Sequence, residues 1–90
     1  MSPRRSSFQM AVDVLTIIAE GEQKPTRIMY AANLSWSSLK SKLDLLVNNG
    51  YVDEGYISDR NKIYSITSKG FEVLRYFNRL ESMIQAASET

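Results

Sequence analysis

The 90-residue sequence contains no cysteine and no histidine. Without cysteine, the chain has no disulfide, no thiolate ligand for zinc and no thiol nucleophile. The absence of histidine removes the commonest general base and the commonest transition-metal ligand. Among the remaining carboxylates, lysines and serines, no spacing typical of a metal site or of a nucleophile with its base is visible. We therefore expect a protein that is not an enzyme, with no catalytic residue, bound metal, cofactor or small-molecule ligand.

Long apolar runs are also missing. A membrane-spanning helix needs about 18 or more apolar residues in a row, and the longest apolar stretch, residues 8–19, is broken by Gln9 and Asp13. A basic segment precedes this stretch, but no small-residue cleavage site follows it, so it is a poor signal peptide. With 43% hydrophobic and 23% charged residues, the composition is typical of one globular domain. We expect a cytoplasmic protein without a membrane partner.

Helical spacing of apolar residues predicts a first helix over about residues 7–20 and a short second helix over residues 26–32. Gly21 ends the first helix, and Asn33 breaks the second. The apolar face of the first helix is broad, which is typical of a helix that packs on more than one side. Its inward stripe comprises Phe8, Ala11, Val12, Leu15, Ile18 and Ala19, widened by Met10, Val14 and Ile17.

Two further helices have clear start signals. Ser35 is a favourable N-cap for a third helix over residues 36–48, and Gly50 supplies the left-handed residue that ends it. Thr67 caps a final helix that begins at about Ser68. The residues expected to form the buried stripe of the third helix are Trp36, Leu39, Leu43, Leu46 and Val47.

Between the third and the final helix the apolar pattern changes to that of strands. Residues 51–57 and 62–66 are rich in Tyr, Ile and Val and predict a hairpin, and the polar residues 58–61 predict its tip. The order helix, short helix, helix, hairpin, helix is that of a winged helix-turn-helix, a mainly α fold with a small β-hairpin. We expect this core over residues 1–67 and an extended C-terminal helix over residues 68–90.

The formal net charge of +1 hides an uneven charge distribution. Residues 23–43 contain four cations and no acid, and residues 57–70 contain three cations against one acid. Most of the remaining acids lie on other elements. Positive charge concentrated on the helix-turn-helix and the hairpin is typical of a phosphate-binding surface. Arg4 and Arg5 could add a minor-groove arm or form a disordered tail.

The third helix is expected to turn a small polar face outward. With the apolar stripe inward, Ser37, Ser38 and Ser41 point outward, and Lys40 and Lys42 lie on the two flanks. Short hydroxyl side chains let a helix approach a groove floor closely, while the lysines reach phosphates. No Arg, Asn or Gln on the exposed N-terminal half could read a base bidentately, so phosphate positioning is better supported than base discrimination. A solvated helix face would have the same composition.

The hairpin tip carries a second basic group. Arg60 and Lys62 flank Asn61, and they would clamp a phosphate or enter a minor groove. A polar turn is also what any hairpin needs, so this signal alone is weak. The expected DNA-binding residues are Lys24, Arg27, Ser35, Ser37, Ser38, Lys40, Ser41, Lys42, Arg60, Asn61 and Lys62.

The run T-R-I-M-Y-A-A-N-L-S-W at residues 26–36 resembles the signature of a family of small archaeal winged helix-turn-helix proteins. The sequence Y-S-I-T-S-K-G at residues 64–70 matches the later part of the same pattern, and the similarity covers about residues 12–80. Two positions differ, because Pro25 separates the usual Lys from the Thr and Trp36 replaces the usual Tyr. The resemblance implies DNA binding, as a transcriptional regulator or a chromatin-type protein, and dimerisation through the C-terminal helix.

The final helix carries more apolar surface than a small core needs. Phe71, Leu74 and Phe77 could complete the core, but the apolar stripe continues through Leu80 and Met83. Exposed apolar surface of this length usually binds a partner, and an antiparallel two-helix coil between protomers is the simplest arrangement. The alternative is that the distal residues fold back on their own domain. The expected dimer interface comprises Val73, Phe77, Leu80, Ile84 and Ala87.

These observations favour a homodimeric protein that binds duplex DNA, a nucleoid-associated transcriptional regulator. The third helix would enter the major groove, and the hairpin would contact the backbone or the minor groove. One alternative is a winged-helix module that binds another protein, because the fold alone does not decide between partners. A second alternative is an architectural, chromatin-type protein that binds DNA without sequence preference.

Overall fold

A computed structural model describes residues 5–88 and has the element order that the sequence predicts. The helix bounds agree with the expected ones to within one residue, and the winged helix-turn-helix fold is confirmed. Within the described residues, no helix is both long enough and apolar enough to cross a membrane. The elements are α1 (Ser7–Ala19), α2 (Pro25–Ala32), α3 (Trp36–Asn48), β1 (Val52–Ser58), β2 (Asn61–Ile66) and α4 (Ser68–Ser88).

Side-chain caps begin α3 and α4 as predicted. The Ser35 hydroxyl accepts a hydrogen bond from the Ser38 amide at 3.2 Å, which satisfies one of the free amides at the start of α3. The Thr67 hydroxyl accepts from the Gly70 amide at 3.0 Å. It also donates to the Gly50 carbonyl at 2.7 Å. Thr67 therefore ties the start of α4 to the turn that ends α3.

The core lies where α1, α2 and α3 meet beneath the hairpin. Val14, Ile28 and Leu39 are fully buried at the centre of this arrangement. The hairpin closes one side with Val52 and Tyr64, which are 1% and 2% exposed. Burying these side chains is the main source of stability in a domain of this size. The buried cluster comprises Val14, Leu15, Ile18, Ile28, Ala32, Leu39, Leu43, Leu46, Val52, Tyr64 and Leu74.

Three aromatic residues that we expected in the core are exposed instead. Phe8 is 64% exposed, Trp36 51% and Phe71 48%. Each lies in the first turn of its helix, and an inward side chain was the wrong prediction. On α4, Leu74 takes the core position. Phe8 packs at the edge of the domain against Phe77, with ring centroids 5.6 Å apart.

The hairpin has a tighter tip than predicted. Its two strands pair antiparallel with a register shift between Tyr56 and Ser58, where Ile57 falls outside the pairing. This extra residue is a β-bulge, which bends the strand. Because pairing resumes between Ser58 and Asn61, the tip consists of residues 59–60. The four-residue tip expected from the polar run was wrong.

Candidate nucleic-acid interface

The predicted DNA-binding residues of α3 lie on one exposed side of that helix. Ser37 and Ser41 are exposed, and Ser38, Lys40 and Lys42 are half-buried on the flanks. This orientation follows from the leucine positions, since the three leucines that face the core are almost completely buried. The outward face of α3 is therefore small and polar, as expected.

Four cations on α2, α3 and the hairpin form what we call the open cations: Lys24, Arg27, Lys42 and Arg60. Among residues 5–88, none of them makes an ion pair. Lys24 is the N-cap of α2, and Arg27 is exposed in its first turns. Arg60 is exposed at the hairpin tip. These side chains can neutralise phosphates without first breaking a salt bridge.

Lys40 has an internal partner one turn further along α3. Its ammonium group lies 3.0 Å from the Asp44 carboxylate, an (i, i+4) pair on the helix surface. The hydrogen bond that Lys40 donates to Asp44, together with the negative charge of Asp44, raises the pKa of Lys40 above its ordinary value. The acid-free surface that the sequence suggests therefore ends at Asp44, which competes with any phosphate for Lys40.

Lys62 is also paired, in this case across the hairpin. Its ammonium group lies 3.4 Å from the Glu54 carboxylate and 5.8 Å from the centre of the Tyr56 ring. The Tyr64 hydroxyl donates to the same carboxylate at 3.0 Å. Burial, followed by this hydrogen bond, raises the pKa of Tyr64. The Tyr64 amide donates to the Gln23 carbonyl at 2.9 Å, which anchors the hairpin to the loop before α2.

Two predicted contact residues have structural roles in the protein alone. The Ser35 hydroxyl caps α3 and lies 3.4 Å from the Ser37 hydroxyl. The Asn61 amide group donates to the Ser58 hydroxyl at 2.8 Å, across the hairpin tip. These bonds use part of the hydrogen-bonding capacity of Ser35 and Asn61, so both residues are weaker candidates for direct readout than the open cations.

Sequence reasoning missed a group of exposed aromatic and apolar side chains on the same elements. Tyr30 on α2 is 78% exposed, and Trp36 at the start of α3 is 51% exposed. On β1, Tyr56 and Ile57 are each 62% exposed. The available signal was the position of Trp36 next to its N-cap, because the first residue of a helix often extends beyond the packed layer.

The basic N-terminal pair is only partly described. Arg4 lies outside the described residues. Arg5 forms an ion pair of 2.9 Å with Asp13 on α1 and donates to the Asn33 carbonyl at 3.1 Å. A disordered tail was therefore the wrong expectation for Arg5, which connects α1 with the turn between α2 and α3.

The residues predicted for the dimer interface fall into two groups. Val73 packs against the core, and Phe77 contacts Phe8. Beyond them, α4 carries what we call the distal α4 surface, which is apolar and exposed. Leu80 is 57% exposed, Met83 61% and Ile84 59%. The distal α4 surface comprises Leu80, Met83, Ile84 and Ala87.

No set of side chains suited to a metal ion is present in the described part of the chain. Between residues 5 and 88, no three Asp, Glu, His or Cys side chains lie together in a group that could hold a metal ion. The chemistry that the structure does offer is electrostatic and apolar. It consists of open cations, short hydroxyl side chains and exposed aromatic rings on α2, α3 and the hairpin.

These features define a winged helix-turn-helix domain with exposed cations on its helix-turn-helix and hairpin and an exposed apolar surface on its C-terminal helix. The chain belongs to the winged helix-turn-helix family, whose model matches residues 4–85. It is similar to the uncharacterised protein MJ0287 of Methanocaldococcus jannaschii, with 38% identity over 76 residues that cover 79% of this chain and 78% of that protein.

Solved structures of two DNA-related proteins have similar folds. Sso10a-2, a DNA-binding protein from Sulfolobus solfataricus, matches with a TM-score of 0.72 at 26% identity, over 94% of this chain and 90% of that one. Streptococcus pneumoniae FabT in complex with DNA matches with a TM-score of 0.70 at 16% identity, over 88% of this chain and 58% of that one. At this identity, the second likeness concerns the fold alone.

Proposed function

We propose that this protein is a homodimeric duplex-DNA-binding protein that regulates transcription. The observation that carries the proposal is the location of the open cations on α2, α3 and the hairpin, the elements that face DNA in helix-turn-helix proteins. The similarity to a Sulfolobus protein described as DNA-binding supports it. In this proposal residues 1–67 bind DNA, and residues 68–90 complete the core and form the dimer.

In the proposed complex, α3 enters the major groove. Ser37 and Ser41 are exposed and short, so they let the helix axis approach the base edges. Lys42 reaches the backbone on one flank, and Arg27 reaches it from α2. Lys40 reaches the other flank once a phosphate replaces Asp44 as its partner. Contacts of this kind position a protein on DNA and supply most of the affinity.

The hairpin extends the contact beyond the major groove. Arg60 is exposed at the tip and has no ion-pair partner among the described residues. It is therefore available for a phosphate or for the minor groove. Asn61 and Lys62 follow it on β2. For Lys62, contact with DNA requires exchange of the Glu54 carboxylate for a phosphate.

The dimer forms through the distal α4 surface. An exposed apolar surface on a helix about 30 Å long can pack against the same surface of an identical helix that is related to it by a two-fold axis. Such a dimer presents two copies of α3 to one duplex. If both enter the same face of the DNA, they lie about 34 Å apart, which is one helical turn.

Fluorescence anisotropy of a labelled, mixed-sequence duplex at low salt tests the proposal. We expect binding with a dissociation constant in the micromolar range or tighter, because non-specific contacts alone reach about this affinity. An anisotropy that stays constant up to tens of micromolar protein would contradict DNA binding. That result would favour a module that binds another protein through the same surface.

An architectural role is the second candidate, and the short side chains on α3 favour it. The exposed N-terminal half of α3 has Ser37 and Ser41 but no Arg, Asn or Gln for bidentate base recognition. Selection from random duplexes at physiological salt separates the two roles. A recovered sequence motif supports a regulator, and selection without a motif supports a chromatin-type protein.

A further inference from the structure

The side chain of Trp36 is only partly buried in the fold. It is the first residue of α3, directly after the Ser35 cap, and 51% of it is exposed. It is also the only tryptophan in the sequence. The core on this helix begins one turn later, at the fully buried Leu39. An exposed indole at this position adds apolar surface where a small polar residue would serve the helix equally well.

The position of Trp36 on α3 is informative. On a helix, residues four apart lie on the same side, so Trp36 shares a flank with Lys40. The Lys40 side chain is 45% exposed, and more than half of Trp36 is exposed. Trp36 therefore stands at the leading end of α3, on a flank that is open to solvent.

The neighbours of Trp36 on α3 cannot supply an apolar contact. Ser37 and Ser41 are the other exposed residues of the N-terminal half, and their hydroxyl groups pair with several bases. The apolar feature that the major groove offers is the C5-methyl group of thymine. In a helix-turn-helix, the residues that contact base edges come from the N-terminal end of the recognition helix. Trp36 is the large apolar side chain at that end.

We propose that Trp36 reads bases in the major groove by packing its indole against the methyl group of thymine. This inference rests on the proposed DNA binding through α3, and it adds a base-specific contact to a surface that otherwise contacts phosphates. It predicts a preference for thymine over uracil, which lacks the methyl group but pairs in the same way. The preference is a property of one side chain and is independent of the open cations.

Two readouts in one titration test the inference. Duplexes of identical sequence, with either thymine or uracil throughout, carry a label for anisotropy, while the emission of the single tryptophan reports on Trp36. We expect the uracil duplex to bind about fourfold more weakly for each methyl group contacted. The Trp36 emission is expected to change as the thymine duplex saturates. Circular dichroism confirms that each variant is folded.

Variants at the same position separate the role of the ring from a general loss of binding. Trp36→Ala is expected to bind both duplexes equally, with an unchanged dependence of affinity on salt. Trp36→Phe keeps an apolar ring and is expected to retain the thymine preference. As a control for the emission signal, Trp36→Phe combined with Tyr76→Trp carries its only tryptophan on α4, and its emission is expected to remain constant when DNA binds.

The possible failures are distinguishable. If neither duplex changes the anisotropy at low salt, DNA binding itself fails, and the role of Trp36 fails with it. If the anisotropy rises but the Trp36 emission does not change, DNA binding stands and the contact by Trp36 is overturned. If the emission changes but thymine and uracil duplexes bind equally, Trp36 packs against the sugar-phosphate backbone, and base reading is overturned.

Discussion

Gly70, in the first turn of α4, has no space for a side chain. A Cβ atom there would overlap the Tyr51 carbonyl oxygen and lie 2.8 Å from Cγ1 of Ile66. Gly70→Ala is therefore expected to lower the free energy of unfolding by about 1–3 kcal/mol, as overpacking does. Urea denaturation measures this difference. Gly55→Ala is the matched control, because no atom lies within 4 Å of its Cβ position, and equal losses for the two variants would contradict the close approach at Gly70.

A second residue, Tyr64, is expected to make the free energy of unfolding depend on pH in the alkaline range. The residue is 2% exposed, and burial together with the hydrogen bond to Glu54 raises its pKa above the ordinary value of 10.0. Because the folded state has the higher pKa, this contribution to stability is complete below pH 10 and is lost as the pH rises further. Ionisation of Tyr64 lowers the free energy of unfolding by at most about 1.4 kcal/mol per pH unit.

Comparison with Tyr64→Phe isolates this effect. We expect the free energy of unfolding of the wild-type protein to fall more steeply above pH 10 than that of the variant, as measured by urea denaturation at several alkaline pH values. The other tyrosines are present in both proteins, so their contributions cancel in the comparison. Parallel pH profiles would show that Tyr64 ionises equally easily in the folded and unfolded states.

For single residues, the sequence predicts local hydrogen bonds well and the exposure of side chains less well. Ser35 and Thr67 are readable as caps because a cap bonds to an amide only three residues away. Asn33 is readable as a helix end because it adopts the left-handed conformation easily, here with φ of 55°. The exposure of Trp36 and Phe8 depends on where neighbouring helices end, which their own spacing does not reveal.

Among the elements, α3 contains an acid that would oppose the proposed DNA binding. Asp44 holds Lys40 at 3.0 Å, and both would lie near phosphates. Asp44→Asn is expected to tighten DNA binding on all sequences and to steepen the slope of log affinity against log salt by about 0.9, the value for one more phosphate contact. Anisotropy titrations at several salt concentrations measure it. Glu72→Gln on α4 is the control with the same change of charge, and weaker binding by Asp44→Asn would contradict the proposed position of α3.

The ion pairs of Lys40 and Lys62 show what a sequence can reveal about an element. The Lys40–Asp44 pair follows from helical spacing alone, since the residues are four apart. The pair of Lys62 with Glu54 requires the register of the hairpin, which depends on the bulge at Ile57. The polar run that suggested a four-residue tip contains no signal for this bulge. Charge counts along the chain therefore overestimate the positive charge that is free on the folded surface.

At the scale of the whole molecule, the distal α4 surface is an exposed apolar region that lies beyond the core contacts of α4. If it forms the dimer, Leu80→Glu combined with Ile84→Glu is expected to give a folded monomer, because both side chains are more than half exposed in the single chain. Sedimentation equilibrium measures the mass. Asn78→Glu is the control, because it lies about 200° around the helix from Leu80. A wild-type protein that sediments as a monomer would contradict the proposed dimer.

Duplex-DNA binding through α2 and α3 is tested most directly by the salt dependence of binding in two charge-matched variants. Arg27→Ala combined with Lys42→Ala removes two open cations, and Arg75→Ala combined with Arg79→Ala removes two cations from α4. We predict that the first variant has a slope of log affinity against log salt that is shallower by about 1.8, twice the value for one phosphate. The second variant is predicted to keep the wild-type slope. Equal slopes for the two variants would contradict the assignment of α2 and α3 to the DNA-binding surface.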